Sequence, residues 1–479
     1  MEKNPRVLFV IHDLYQDDNN FPLGPAYLAA VLKKNNIDVQ IYCQDVFHYT
    51  NDELSKYLEE NEFILIGVGF LAARFKETIE LLCNNINKYK KNAWLILGSH
   101  GPSPIPEYIL KTTRADIVVV GEAEETIVEL AKCKISNGNL SKIKGIAYSE
   151  NNEMIINERR QPIKNLDLIP FPEWSLFPIE KYKTCLKLFN ASDQDNTLSI
   201  STTRGCINKC NFCYRMEKGI RIRSVKNVID EIKMLYNNYG INYFLTYDEL
   251  FVYSKKWIKD FLNELKNNSL KIKFSCNARV DLFDEEIAVL LKECGCQFLN
   301  FGMESSDQNV LNIMKKRTTT EQNIKAAEIT RNVGIGLGLN FIWGNIGDTE
   351  ESLRNNVDLI KKYNTYDQIR TIRPVTPYPG CDLYYEAIKK GLLEGPEEFF
   401  NKFKNSDLLT VNFTGIDNDK FYELLFNANK ELIIDHYLHT TKDINAEKKL
   451  INDFYELYFK KNLKFRGARN YNKNNNIQN

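Results

Sequence analysis

Residues 203–214 read Thr203-Arg204-Gly205-Cys206-Ile207-Asn208-Lys209-Cys210-Asn211-Phe212-Cys213-Tyr214, directly after the apolar run Leu198–Thr202. The three cysteines form C-x3-C-x2-C on one loop. With 11 cysteines in 479 residues, that spacing is expected by chance about 0.006 times. Three closely spaced thiolates suit a cubane [4Fe-4S] cluster with one iron left open, and an open iron can bind a substrate or cofactor. A zinc site would need a fourth ligand from the remote Cys276, Cys294, Cys296 or Cys381. The position of the loop, at the C-terminal end of a strand, is where barrel folds place active sites.

Outward from the loop, apolar strands alternate with helical patterns at Leu198–Thr202, Tyr243–Tyr247, Lys273–Ala278, Phe298–Phe301, Gly338–Ile342 and Ile369–Pro374. Six such units predict a partial (β/α)6 barrel over residues 197–390. Residues 391–466 read as a helical, aromatic-rich C-terminal region; aromatics in and just before it, such as Tyr378, Tyr384, Tyr385, Phe399, Phe400 and Phe403, are candidates for a pocket or for core. Residues 467–479 are Asn-rich and predict a disordered tail.

On the N-terminal side, Val7–Ile11, Val39–Cys43, Phe63–Gly69, Ala93–Leu97 and Ile117–Val120 are apolar runs, each followed by a helix candidate. This pattern predicts an α/β domain with a doubly wound parallel sheet over residues 1–140, which would bind ligands at the C-terminal ends of its strands. The turns there are Phe21–Tyr27, Gly69–Ala72, Gly98–Pro102 and Gly121–Thr126. Gly67-Val68-Gly69-Phe70-Leu71-Ala72 fits a loose dinucleotide pattern but follows the third strand, where the fingerprint requires the first. Residues 141–196, with Pro162, Pro170, Pro172 and Pro178, read as an ordered linker.

Lys+Arg and Asp+Glu both number 63. Zero net charge removes the bulk electrostatic argument for nucleic acid or anionic membranes and points to a small-molecule substrate. The Val7–Ile11 run is too short for a signal peptide, and no apolar stretch is long enough to span a bilayer. These readings predict a cytoplasmic protein with reduced cysteines.

Cys206-x3-Cys210-Asn211-Phe212-Cys213 resembles the signature of the radical S-adenosylmethionine (SAM) superfamily, C-x3-C-x-aromatic-C. The likeness continues through Tyr247-Asp248-Glu249, Asn277 to Asp281, Gly302-Met303-Glu304-Ser305 and Gly344 to Glu350. It implies that Cys206, Cys210 and Cys213 ligate the cluster, that Tyr247, Asp248 and Glu249 lie against the methionyl amino group, and that Arg279 lies near the carboxylate and Glu304 near the ribose. SAM does present an ammonium, a carboxylate and a diol, which call for acidic, cationic and hydrogen-bonding partners of these kinds. Barrels also use Arg–carboxylate pairs structurally, which is the alternative for Arg279 and Glu304. The segment Gly344-Asn345-Ile346-Gly347-Asp348-Thr349-Glu350 departs from the family's Gly-x-Pro-Gly-Glu-Thr-x-Glu, so a different local turn is expected.

The first domain resembles the cobalamin-binding domain of one subgroup of that superfamily, through Leu23 to Ala29, Gly98 to Pro102 and Val120 to Thr126. The resemblance implies cobalamin contacts from Leu23, Gly24, Gly69, Phe70, Gly98, Ser99, His100, Gly121 and Glu122, with His100 alternatively capping the next helix. The Asp-x-His-x-x-Gly motif is absent, implying cobalt without a histidine ligand; a domain that holds no cofactor is the other reading. The implied function is cobalamin-dependent methylation of an unactivated carbon through a 5′-deoxyadenosyl radical and methylcobalamin, fed by an external ferredoxin- or flavodoxin-type electron donor. The alternative is a radical cyclase or ring-rearranging oxidoreductase.

Overall fold

The computed structural model describes residues 5–14, 19–73, 75–463 and 465; the expected tail at 467–479 lies outside them. Two compact units emerge. One comprises residues up to Leu186 with Tyr214–Asn227 and Gly395–Asn401, and the other Lys187–Cys213, Val228–Glu394 and the chain from Lys402.

The first unit is built on strands β1 (Arg6–Ile11), β2 (Asp38–Cys43), β3 (Leu65–Gly69), β4 (Trp94–Gly98), β5 (Ile117–Val119), β6 (Ile146–Glu150) and β7 (Glu153–Ile156), in the order β2-β1-β3-β4-β5-β6-β7. The first five are parallel. Helices such as Leu23–Lys34 and Glu124–Ser136 bury Ala29, Leu32, Ile127 and Leu130 against Val7, Phe9, Leu65 and Ile96. Each fully buried aliphatic side chain of this kind contributes about 1.5–3 kcal/mol. Strand order reverses between β1 and β3, and such a reversal opens a crevice at the strands' C-terminal edge.

Residues 141–196, expected as linker, contribute two strands to this sheet. β6 and β7 form an antiparallel hairpin whose Asn151-Asn152 turn has both φ values positive, at 51° and 65°, and β6 pairs with β5. Asparagine tolerates that conformation, which a two-residue hairpin of this hand requires.

The second unit carries β8 (Thr197–Ile200), β9 (Thr203–Cys206) and, after β10 (Gly219–Ile222) in the stretch that packs with the first unit, β11 (Tyr243–Thr246), β12 (Lys273–Ala278), β13 (Cys296–Glu304), β14 (Gly336–Trp343) and β15 (Arg373–Pro374). Six strands make one curled parallel sheet, an open half-barrel ordered β15-β14-β13-β12-β11-β8. Leu337, Leu339 and Phe341 of β14 are buried on its outer, helix-covered face. Gly336, Gly338 and Asn340 alternate with them on the inner face.

The last strand is shorter than the apolar run Ile369–Pro374 predicts. Only Arg373 and Pro374 pair with β14. The main-chain N–H and C=O of Ile372 bond instead to the Asn429 side chain, at 2.7 and 3.0 Å, on the helix Asn418–His439. A side-chain amide thus satisfies the backbone in place of a ladder partner.

Candidate active site

Cys206 is the last residue of β9, and Cys210 and Cys213 follow on the loop, where Cys213 N–H bonds to Cys210 O at 3.2 Å. The loop is seated by the residue between the last two cysteines. Asn211 is buried, and all four of its polar groups are bonded. Its N–H donates to Met314 O and its side-chain amide to Ile313 O. Its C=O accepts from Leu383 N–H and its Oδ1 from Asn345 Nδ2.

Asn345 belongs to the turn that departs from the family's form. Gly344 and Gly347 take φ of 99° and 89° there, conformations that favour glycine. Asp348 accepts from the N–H groups of Gly344 and Asn345 and from Ser352 Oγ, which aims the buried Asn345 at Asn211.

The thiols stand in one electrostatic neighbourhood. The Cys210 pKa is raised first by desolvation; Lys316 and Arg279 act against this, while Glu304 and Cys206 add to it. Cys213 is exposed as a residue, yet its sulfur lies among enough protein that desolvation comes first in raising the thiol to about 12, followed by Cys210 and Cys206. Metal binding must therefore displace protons. Among the described residues no three His, Cys, Asp or Glu side chains gather closely enough for a single metal ion. In a cubane each thiolate belongs to a different iron. Cys276, Cys294, Cys296 and Cys381, the remote candidates for a zinc site, are buried in the core.

Asp248 is buried and both its carboxylate oxygens are taken. Thr202 N–H and Thr203 N–H donate to Oδ1 at 2.7 and 2.8 Å, and Thr202 Oγ1 donates to Oδ2 at 2.7 Å. Burial raises its pKa to about 6. This residue ties the end of β11 to the strand leading into the cysteine loop. Glu249 accepts from the N–H of Gly205, beside Cys206, and Tyr247 stands exposed.

Arg279 makes a two-point pair with Asp281 at 2.9 and 3.1 Å, and its guanidinium also donates to the main-chain oxygen of Lys316 at 2.9 Å. Lys316 Nζ in turn meets Glu304 Oε1 at 2.8 Å, with both side chains largely buried. Glu304 sits at φ 66°, a left-handed conformation uncommon for a residue with a side chain. Lys316 escaped the sequence reading. Its signal was the run Lys315-Lys316-Arg317, two of whose members also have positive φ.

In the first unit, Gly69 and Gly98 close β3 and β4, and Gly24 lies in the first turn of its helix. A Cβ at Gly24 would meet nothing within 4 Å, and at Gly69 only Ser99 Cβ at 3.8 Å. Ser99 and Gly121 take φ of 86° and 96°. His12 directly follows β1; burial lowers its pKa to about 4, and its buried Nδ1 has no partner among the described residues. An open mouth with an unpartnered nitrogen at the strand-order reversal fits a corrinoid.

Leu23 and Phe70 are buried, and the Phe70 ring stacks on Phe75 at 5.5 Å. Glu122 receives both Nη atoms of Arg221 at 2.8 Å and the Ile163 N–H. His100 is exposed, edge-on to Tyr214. The next helix starts at Pro106, and its N-cap residue, Ile105, supplies no side-chain cap.

Two family models match the chain, the B12 binding domain at residues 18–131 and the Radical SAM superfamily at residues 200–360. The uncharacterized methyltransferase PH0819 of Pyrococcus horikoshii is 30% identical over 378 residues, 78% of this chain and 79% of that protein. The chain belongs to the radical SAM superfamily, in the group with a B12-binding domain. Its cofactors are a [4Fe-4S] cluster, SAM and cobalamin. Cytidylyl-2-hydroxyethylphosphonate methyltransferase of Streptomyces wedmorensis is another relative, 24% identical over 89% of this chain and 88% of that protein. The fold is shared with the cobalamin-dependent SAM radical enzyme OxsB in its apo form, at a TM-score of 0.72 and 19% identity, over 95% of this chain and 72% of that one. No helix among the described residues is long and apolar enough to cross a membrane.

Proposed function

We propose that this radical SAM enzyme transfers a methyl group to an unactivated carbon of a small molecule, with Cys206, Cys210 and Cys213 holding the cluster. One observation carries the reading. The three-thiol loop shares an electrostatic neighbourhood with Arg279, Glu304 and Lys316, in a chain that also carries a B12-binding sheet. When bound, the cluster and SAM supply a carbon-centred radical and cobalamin a transferable methyl group.

The chain's own contribution is alignment. Asn211 and Asp248 fix the loop from both sides, so the thiolates are presented without reorganisation. Arg279, pinned by Asp281 and the Lys316 carbonyl, offers its guanidinium to the SAM carboxylate. Glu304 and Glu249 are acceptors for its ribose and ammonium, and Lys316 holds Glu304 in place through their 2.8 Å ion pair. At the other sheet, Gly24, Gly69, Gly98 and Ser99 leave the mouth open for cobalamin. The electron comes from a small external reductant of the ferredoxin or flavodoxin kind, and the free thiols suit the reducing cytosol.

The test is anaerobic reconstitution with SAM, reductant and cobalamin, followed by mass spectrometry. A product carrying one added methyl, accompanied by one 5′-deoxyadenosine and one S-adenosylhomocysteine, supports the reading. Product without an added methyl, and 5′-deoxyadenosine without S-adenosylhomocysteine, overturns it in favour of radical cyclisation or rearrangement.

A further inference from the structure

Three asparagines line the inner face of the half-barrel on adjacent strands, Asn277 on β12, Asn300 on β13 and Asn340 on β14. Their side chains bond in series. Asn340 Nδ2 donates to Asn300 Oδ1 at 2.8 Å, Asn300 Nδ2 to Asn277 Oδ1 at 3.0 Å, and Asn277 Nδ2 to the main-chain oxygen of Asp248 at 2.9 Å. Asn340 Nδ2 also donates to Phe301 O at 3.1 Å. Main-chain carbonyls only accept, so the two at either end of the series fix the orientation of all three amides.

The direction of donation has a chemical consequence. Both N–H bonds of Asn340 are used, and its Oδ1 has no partner among the described residues. Asn340 is exposed on the inner face, although its neighbours Leu339 and Phe341 are buried. The ladder therefore ends in an open acceptor, flanked by one remaining N–H each on Asn300 and Asn277.

The backbone is shaped to hold this array. A Cβ at Gly338, between β14's other inward positions, would stand 2.4 Å from Asn300 Oδ1. Towards the strands' N-terminal ends the face is closed by Phe189 and Phe298, which would meet a Cβ on Gly336 at 2.6 and 2.8 Å. Towards their C-terminal ends stand Arg279 and Glu304, each already matched by an opposite charge. Between floor and rim the ladder is a polar surface with no net charge.

We propose that this asparagine ladder is the recognition strip for the substrate, and that the group it receives is an uncharged N–H or O–H donor, such as a carboxamide, a lactam or a hydroxyl. The inference rests on the reading of the half-barrel as the reaction chamber. A carboxylate or phosphate would face the open Asn340 oxygen with no proton to give, leaving two acceptors opposed. The ribose hydroxyls of SAM share the donor chemistry, so the test separates them from substrate.

The probes are benzamide and benzoate, matched in shape and differing in the N–H donor, followed by ligand-observed NMR on the full chain reconstituted with its cluster. Benzamide is expected to bind about tenfold more tightly than benzoate. Asn340→Leu and, cutting the ladder in its middle, Asn300→Leu should each remove that preference. Iron content and SAM retention by gel filtration should stay at the wild-type level in the Asn340→Leu protein. Equal binding of the two probes, no benzamide binding at all, or a preference that survives both substitutions overturns the proposal. Loss of SAM retention with Asn340→Leu overturns it too, assigning the donor to the ribose. Failure of the wild-type protein to take up iron would instead refute the reading of the chamber, a result independent of probe preference.

Discussion

Asn345 Nδ2 donates to Asn211 Oδ1 at 3.2 Å, joining the turn after β14 to the middle of the cysteine loop, 134 residues away in the chain. Both residues are buried, so an unmatched partner on either side carries the cost of a buried polar group, about 1–3 kcal/mol. Asn345→Ala should therefore loosen the cluster loop more than it destabilises the fold. The expected result is faster loss of iron to a chelator from the reconstituted protein, with an unchanged thermal midpoint of the apoprotein within a few degrees. Iron release at the wild-type rate would show that the loop does not depend on this bond.

Replacing Cys206, Cys210 and Cys213 together with Ala should abolish uptake of about four irons per chain and the visible absorption that accompanies them. Cys276, Cys294 and Cys296, buried in the core, serve as the control. Single substitutions of these by Ala should leave iron content intact. Iron content that survives the triple replacement would refute the ligand assignment.

How much of this was legible in the sequence depended on range. The cysteine loop declared itself because its three thiols lie within eight residues, and the strands because buried parallel strands are continuous apolar runs. Asn211 sat inside the motif unnoticed, since nothing local announces that one side chain will be bonded by segments more than a hundred residues downstream. Lys316 was hidden for the same reason, because its partner Glu304 is 12 residues away across a helix and a turn. The Asn151-Asn152 hairpin did carry a local signal, a pair of residues tolerant of positive φ between short alternating runs, but prolines nearby masked it. The asparagine ladder could be seen only once strand register had set Asn277 opposite Asn300 and Asn300 opposite Gly338.

Glu304 and Lys316 form a pair with little access to water, so removing one charge leaves the other buried and uncompensated. Lys316→Met and Glu304→Gln should each destabilise the protein by about 3–5 kcal/mol, and the double variant by clearly less than the sum. Urea midpoints of the four proteins check this. Strict additivity would mean that the two side chains do not interact in solution.

His436 gives the protein an acid sensitivity with a defined sign. It is buried, and its pKa is lowered from 6.5 to about 4, first by burial and then by the charge of Arg370. The unfolded chain therefore binds a proton between pH 6.5 and 4 that the folded chain refuses. Stability from this residue is present above pH 6.5 and is lost as the pH falls through 4, by about 3 kcal/mol at full effect. His436→Gln should remove this component, so that the gap between variant and wild-type urea midpoints shifts in the variant's favour from pH 7 to pH 4.5. A gap that stays constant with pH would show that His436 titrates normally.

If cobalamin binds where proposed, substitution at Gly69 should separate cobalamin binding from the stability of the sheet. Gly69 closes β3 at the edge where strand order reverses, its φ is not in the left-handed range, and a Cβ there would meet only Ser99 Cβ, at 3.8 Å. A larger side chain can therefore be built without overpacking. Gly67, two residues earlier, is the contrast, because a Cβ there would lie 2.6 Å from the Phe9 ring and would cost about 1–3 kcal/mol. Gly69→Leu should fill the mouth of the crevice, so that the full chain no longer carries hydroxocobalamin through gel filtration while its thermal midpoint stays near wild type. Gly67→Leu should lower the midpoint by several degrees. Corrinoid retained by the Gly69→Leu protein at the wild-type ratio would place the cofactor away from this edge of the sheet.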